Sequence, residues 1–305
     1  MRSALNEVNM KRLTVLSIAA GVGFLSFGQT SQQNSWSYNI FLGGSNLLGD
    51  LGGSNTNGSF GVKDFDLKAV RPAIGIGNNY TIGRFSLGSN LTYTRLVGDD
   101  AFTALQGRNE RNLRVRTDLI EMNLLGELRP FGNTPVLKRV YFTGGVGGIF
   151  YQPKAEYNDE WVKLRPLGTE GQNLDGGKTY SKISLVVPYG IGYKFPLGQT
   201  TTLNLDIGLR KTFTDYLDDI STVYADNAAL LENDGALAAV LADRSSISKT
   251  EGSQRGNPEK KDSYFFVGLK FEKTIGKSTS SCYYDDVPMN NKRRIKRQQR
   301  KMFRR

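Results

Sequence analysis

Histidine is absent from the 305 residues, and cysteine occurs once, as Cys282. Without histidine there is no Ser-His-Asp relay, no imidazole-activated water and no imidazole metal ligand. A Ser-Lys dyad stays formally open, but no motif points to one, so neither enzymatic activity nor a cofactor is expected. A single cysteine cannot close a bridge within the chain. Long apolar runs are also scarce. Mean hydropathy is −0.39, and beyond Phe27 no stretch approaches the roughly 20 apolar residues of a spanning helix.

Charge is concentrated at one end. Lys and Arg exceed Asp and Glu by 11. Nine of the cations fall in the last fourteen residues, KRRIKRQQRKMFRR: Lys292, Arg293, Arg294, Lys296, Arg297, Arg300, Lys301, Arg304 and Arg305. The remainder of the chain is nearly neutral. The opposite end reads as a secretory signal, with Lys11-Arg12 before an apolar run from Leu13 to Phe27 and small residues at Ser26 and Gly28. Cleavage is expected before Gln29, with Met10 as an alternative start. Export makes nucleic acid an unsuitable partner for the basic tail. It also places Cys282 in an oxidising compartment, where it is free, buried or paired with another molecule.

What the chain does have is alternation. FSLGSNLTY (85–93) puts Phe85, Leu87, Leu91 and Tyr93 on one face and Ser86, Gly88, Asn90 and Thr92 on the other. TTLNLDIGLR (201–210) and FFVGLKF (265–271) do the same, and a period of two means a strand with one apolar and one polar face. Similar strands are expected near 36–44, 70–80, 114–128, 139–151 and 180–194, eight in all. The connections near 81–84, 129–138 and 195–200 are short, whereas those near 45–69, 95–113, 152–179 and 211–262 are long and polar. This is the pattern of an all-β, eight-stranded antiparallel outer-membrane barrel with short periplasmic turns, long extracellular loops and both termini periplasmic.

The soluble alternative is a lipocalin-like barrel with its apolar face inward around a ligand. Against it, the polar face carries Arg71, Glu121, Asp206, Arg210 and Lys270, charges that can pair inside a narrow barrel. Glycine runs such as GGVGGIF (144–150) leave room for bulky neighbours to fill the lumen, so no diffusion pore and no small-molecule substrate are expected. The expected divisions are 1–28 signal, 29–275 barrel and 276–305 periplasmic tail.

Two loop features require weighing. Asp99, Asp100, Asp215, Asp218 and Asp219 sit where strands meet loops. They could hold Ca²⁺, but their spacing fits no EF-hand, and carboxylates that pin loops are the favoured reading. The stretch 225–244 is rich in Ala and Leu and broken at Asn233-Asp234-Gly235, which predicts two short helices; their apolar faces either cap the barrel mouth, the favoured reading, or dock a partner.

The segments LGGSNLLGDLGG (42–53), VRPAIGIGNNY (70–80), LTYTRLVGDD (91–100), RNLRVRTDLIEM (111–122), PLGTEGQ (166–172) and TFTDYLDDISTVY (212–224) together resemble the PorG-type barrel. That family is an outer-membrane component of the type IX secretion and gliding apparatus of Bacteroidota, and the resemblance spans about residues 36–275. It implies a non-enzymatic part, tying a periplasmic ring of PorK-like lipoprotein and PorN-like protein to the outer membrane. Under that reading Cys282 is a candidate for an intermolecular disulfide with the lipoprotein, and the basic tail a docking arm for an acidic surface on the ring, ahead of anionic cell-wall polymer and of an anionic headgroup of the outer-membrane lipid's inner leaflet. Without the resemblance, a free-standing OmpA-like barrel for envelope stability or adhesion is the alternative.

Overall fold

The computed structural model describes residues 34–51, 67–102, 110–132, 134 and 136–275. The expected signal peptide, Cys282 and all nine tail cations lie outside these residues. Nine strands form: β1 (Ser35–Leu48), β2 (Arg71–Ile82), β3 (Phe85–Asp99), β4 (Arg114–Leu128), β5 (Val140–Tyr157), β6 (Glu160–Lys163), β7 (Ile183–Pro196), β8 (Thr201–Thr212) and β9 (Ser263–Ile275). Eight of them pair antiparallel in sequence order, β5 going directly to β7, and β1 pairs with β9 from Trp36↔Ile275 to Leu48↔Ser263. That pairing closes the sheet and leaves no barrel edge. The fold is a closed eight-stranded antiparallel barrel of the outer-membrane kind.

β6 is the departure from the expected eight. It pairs only with the end of β5, through Lys154↔Lys163 to Tyr157↔Glu160, and stands beyond the barrel. β3 and β5 also run further than alternation alone marked, to Asp99 and Tyr157, because β4 carries its partners up to Arg114. β7 in turn starts at Ile183, later than expected. Tyr180 is taken out of the sheet by its ring stack with Tyr216, centroids 4.4 Å apart.

The alternation is sorted as a bilayer demands. Tyr38, Ile40, Leu42, Ile74, Ile76, Leu87, Leu91, Met122, Leu124, Val146, Ile191, Ile207 and Leu269 all point outward and are exposed. Such a continuous apolar belt on a closed barrel is covered by lipid. Aromatic pairs mark the belt's turn-side border: Trp36–Tyr80 at 4.9 Å, Phe131–Phe142 at 6.3 Å and Tyr193–Phe195 at 4.8 Å. From Phe142 to Phe150, both exposed on β5, the strand climbs about 20 Å once tilted by about 40°, close to the height of an outer-membrane apolar band. Among the described residues no helix is long and apolar enough to cross a membrane.

Candidate functional site

The inward faces fill the lumen in layers. Nearest the turns, Lys194 lies 2.6 Å from Glu127 and 3.4 Å from Glu272. Glu272 also accepts from Ser37 (2.5 Å) and Asn204 (2.9 Å). Above this, Lys270 pairs with Asp206 at 3.2 Å, and Asp206 accepts from the Tyr141 hydroxyl. Both ammonium groups lie over the Tyr141 ring, Lys194 at 5.1 Å and Lys270 at 5.2 Å from its centroid. Next, Arg210 meets Glu121 at 3.5 Å and covers the Phe266 ring, while Glu121 accepts from Tyr264 at 2.6 Å. A cavity of about 60 Å³ remains among Asn39, Asn90, Asn123, Arg210 and Lys270, room for a few waters. The charges expected to pair inside do so, except Arg71. It sits at the rim and donates to the carbonyls of Lys68 (2.8 Å) and Val70 (2.9 Å), because its strand begins there.

At the loop end the lumen is stoppered. Leu47, Leu96, Leu119, Ile149, Tyr151, Val186 and Tyr264 form an apolar plug, joined by Leu217 from the longest loop. Leu217 is held there by the Thr117 hydroxyl, which donates to its carbonyl.

Above the plug the long loops make a crown with its own core: Leu51, Leu113, Val115, Ala155, Leu164, Ile220 and Leu241. The two short helices expected in 225–244 form as α1 (Asn227–Asn233) and α2 (Ala236–Ala242). Asp226 caps the first, accepting from Ala228 N–H at 2.9 Å. Leu230, Ala238, Leu241 and Ala242 are buried, so the helices cap the mouth as expected, while Leu231 and Val240 stay exposed.

Buried charges tie the crown. Arg111, 5 % exposed, donates from two nitrogens to Asp100 at 2.8 Å each, and to the carbonyls of Asp50 and Arg255 at 2.9 Å. Burial pulls the Arg111 guanidinium down, but the bonds and charge of Asp100, with Asp218 behind, leave it raised. Arg255 pairs with Glu170 at 3.0 Å, and Glu170 accepts from the amides of Ser221 and Thr222. Asp218 accepts from the amides of Asp50 (3.0 Å), Leu51 (3.1 Å) and Ile220 (3.1 Å), and Asp262 from Leu217 N–H at 2.8 Å.

Asp219 takes the hydroxyls of Thr169 (2.6 Å) and Tyr180, and Asp215 that of Ser221 (2.7 Å). The acidic residues singled out in the sequence are therefore loop pins. Asp99 joins them, accepting from Ala101 N–H at 2.9 Å. No group of three or more metal-ligating side chains occurs among the described residues.

Burial pushes several of these carboxyls up. Asp218 is raised to about 8, with the Asp50 charge adding to burial and Arg111 opposing it. Asp219 and Asp215 are raised to about 6, chiefly by burial, against Arg255 for the first and the Ser221 bond for the second. Asp262 rises well above the ordinary range through burial and then the neighbouring Asp218 and Asp215.

The segments 42–53, 91–100, 111–122, 166–172 and 212–224, separate in sequence, meet in this one network through Asp50, Asp100, Arg111, Thr169, Glu170, Asp218 and Asp219. The sequence marks Asp99, Asp100, Asp215, Asp218 and Asp219, but not Asp50 and Asp262 beside them, nor Arg111, Glu170 and Arg255 as their counterparts. Nothing local in RNLRVRTDLIEM or PLGTEGQ signals that Arg111 and Glu170 will be buried. The site proposed on Cys282 and the tail lies outside the described residues.

Among solved structures, the chain resembles the Neisserial surface protein A (NspA), at 10% identity and a TM-score of 0.35, over 79% of this chain and 99% of that one. The same figures hold for Ail, the attachment invasion locus protein of Yersinia pestis, solved with the heparin analogue sucrose octasulfate. CarO2 of Acinetobacter baumannii follows at 11% identity, a TM-score of 0.32, and the same coverage of 79% and 99%. At these TM-scores the likenesses carry nothing further, and the barrel rests on its own strand pairing. No curated protein matches the sequence. A family profile covers residues 18–233, most of the chain, and the chain thus belongs to the family described as Domain of unknown function (DUF6089).

Proposed function

We propose that this outer-membrane barrel is a non-enzymatic component of a type IX protein secretion system. In that role it anchors or assembles a periplasmic ring of PorK-like lipoprotein and PorN-like protein. The observation that carries the reading is the convergence of five of the six PorG-like segments on the crown's buried network. The resemblance therefore falls on one built object and is not scattered over a generic barrel. The lumen, filled by ion pairs and stoppered by the apolar plug, supports an anchor in preference to a conduit. With the loops outside, both termini are periplasmic. Cys282 then follows the end of β9 by seven residues, within about 25 Å of the membrane when extended, where a lipid-anchored ring subunit also sits. The nine tail cations add association rate and specificity toward an acidic ring surface.

A free-standing small barrel serving envelope stability or adhesion uses the same sealed lumen and rigid crown. Purification of the tagged protein from native envelopes separates the two. Ring subunits retained on the barrel support the secretion reading, and a barrel that comes away alone supports the other. A non-reducing gel of wild type beside Cys282→Ser tests the covalent link: a heavier, reducible band absent from the variant is expected.

A further inference from the structure

The two borders of the apolar belt treat charge differently. At the loop end, outward-facing cations meet acids: Arg95 and Lys154 both bond Asp118, at 2.9 and 2.7 Å, and Arg114 bonds Glu156 at 2.6 Å. These three cations lie against Asp118, Glu156 and, at 3.5 Å from Arg114, Asp99. The short turns at the other end, 83–84, 129–139 and 197–200, contain Arg84, Arg129, Lys138 and Arg139 and no aspartate or glutamate.

Two of these cations are fixed side by side. The backbone N–H of Arg129 donates to the Arg84 carbonyl at 2.9 Å, locking the β2–β3 and β4–β5 turns together. The Arg129 guanidinium donates to the Gly83 carbonyl at 2.6 Å, and that of Arg84 reaches the Pro130 carbonyl at 3.5 Å. Gly83 adopts φ +60°, which lets this two-residue turn fold tightly enough to present its carbonyl. Among the described residues the carboxylate paired with Arg129 is Glu127, which points into the lumen. It lies 3.9 Å from Arg129 and is held by Lys194 at 2.6 Å. Both guanidinium groups are thus braced on neutral carbonyls, Arg84 exposed at the rim and Arg129 partly buried behind it, 23 % exposed and beside Glu127.

The apolar neighbours set the depth. Phe85 follows Arg84, and Leu128 precedes Arg129; both are exposed on the lipid face. Phe131 lies against the lipid-facing Phe142, and Val136, Leu137 and Leu197 are exposed on the same turns. Guanidinium groups one residue beyond the end of an apolar belt lie at the level of phospholipid phosphates, with aromatic rings in the interfacial zone.

We propose that the Arg84–Arg129 clamp is a binding site for the phosphate of an anionic phospholipid headgroup in the leaflet bordering the turns. Paired guanidinium forks suit a phosphate diester, and the interleaved Phe85, Leu128 and Phe131 favour a lipid over free phosphate because they contact its acyl chains. The site goes beyond the secretion reading and stands under either sidedness, since the turns border a headgroup layer in both.

Native mass spectrometry of the full-length protein in detergent tests it, with phosphatidylglycerol and phosphatidylcholine of identical chains as probes. The wild type is expected to retain phosphatidylglycerol preferentially. The Arg84→Gln/Arg129→Gln variant should lose about tenfold of that preference, and Arg84→Lys/Arg129→Lys should keep most of it. All three carry the same basic tail, so the difference reports the turns, and the heat-dependent gel shift of a folded barrel verifies each. An unchanged preference in the glutamine variant overturns the site. Displacement of the lipid by millimolar inorganic phosphate overturns the lipid as its occupant. If polyglutamate binding falls in the glutamine variant while lipid preference does not, the face belongs to an acidic protein.

Discussion

Individual side chains in this barrel are placed by their neighbours more than by their type. Tyr141 lies across the lumen because Gly192 has no side chain to meet it; a Cβ there would overlap the Tyr141 ring. Gly192→Ala is expected to lower barrel stability by about 1–3 kcal/mol, read as a lower midpoint in the heat-dependent gel shift. Adding Tyr141→Ala should relieve the overlap, so that the double variant loses less than the two single losses together. Arg111 is the corresponding residue in the crown. Arg111→Ala removes four bonds and leaves Asp100 buried without its counter-ion, at about 3–5 kcal/mol of local stability. Loops should then be nicked by protease much faster while the barrel stays folded. Arg111→Lys should restore little, because an ammonium cannot make the two-pronged bond to Asp100 and still reach both carbonyls.

At the scale of elements, the loop 213–262 behaves as a folded piece whose hold on the barrel depends on protons. Asp218, Asp219 and Asp215 have folded values of about 8, 6 and 6 against an ordinary 3.8, and Asp262 is raised as well. A carboxyl raised by folding binds its proton more tightly in the folded state. The stabilisation is therefore complete below about pH 4 and is lost as pH rises toward 8. The groups facing this cluster are Asp50, Arg111, Glu170, Arg255 and Lys261. The crown should consequently be tighter at pH 5 than at pH 8.5. Protease nicking between 164 and 262, normalised to an unfolded peptide at each pH, should speed up across that interval, and Asp218→Asn should flatten the dependence. Equal nicking at both ends of the range would contradict the assignment.

Over the whole molecule, the lumen is closed twice, by ion pairs toward the turns and by the Leu217 plug toward the loops. Planar-bilayer recordings of the purified barrel should therefore lack steady porin-sized currents. Truncation after Gly276 should leave insertion and heat-modifiability unchanged, because β9 already completes its pairing with β1 and β8 by Ile275. A truncated chain that no longer inserts would mean the tail takes part in barrel formation and not in docking alone.

The barrel was legible in the chain itself because strand alternation is local: each residue's face follows from its parity, and an outward apolar, inward polar sheet of eight strands has one way to close in a bilayer. The loop aspartates and the short capping helices were legible for the same reason, through composition and turn residues. Other features depended on chain segments far apart in sequence. β6 exists because β5 overruns the belt and offers an edge. Arg71 stays at the rim because its strand starts there. Arg111 and Arg255 are buried because loops separated by more than a hundred residues close over them. The Arg84–Arg129 clamp needs the turn before β3 and the turn after β4 to become neighbours, which the β3–β4 register, ending at Phe85↔Leu128, brings about. Parity is a property of one strand, whereas burial of a charge and the pairing of turns are properties of the closed fold, and those the tertiary structure decided.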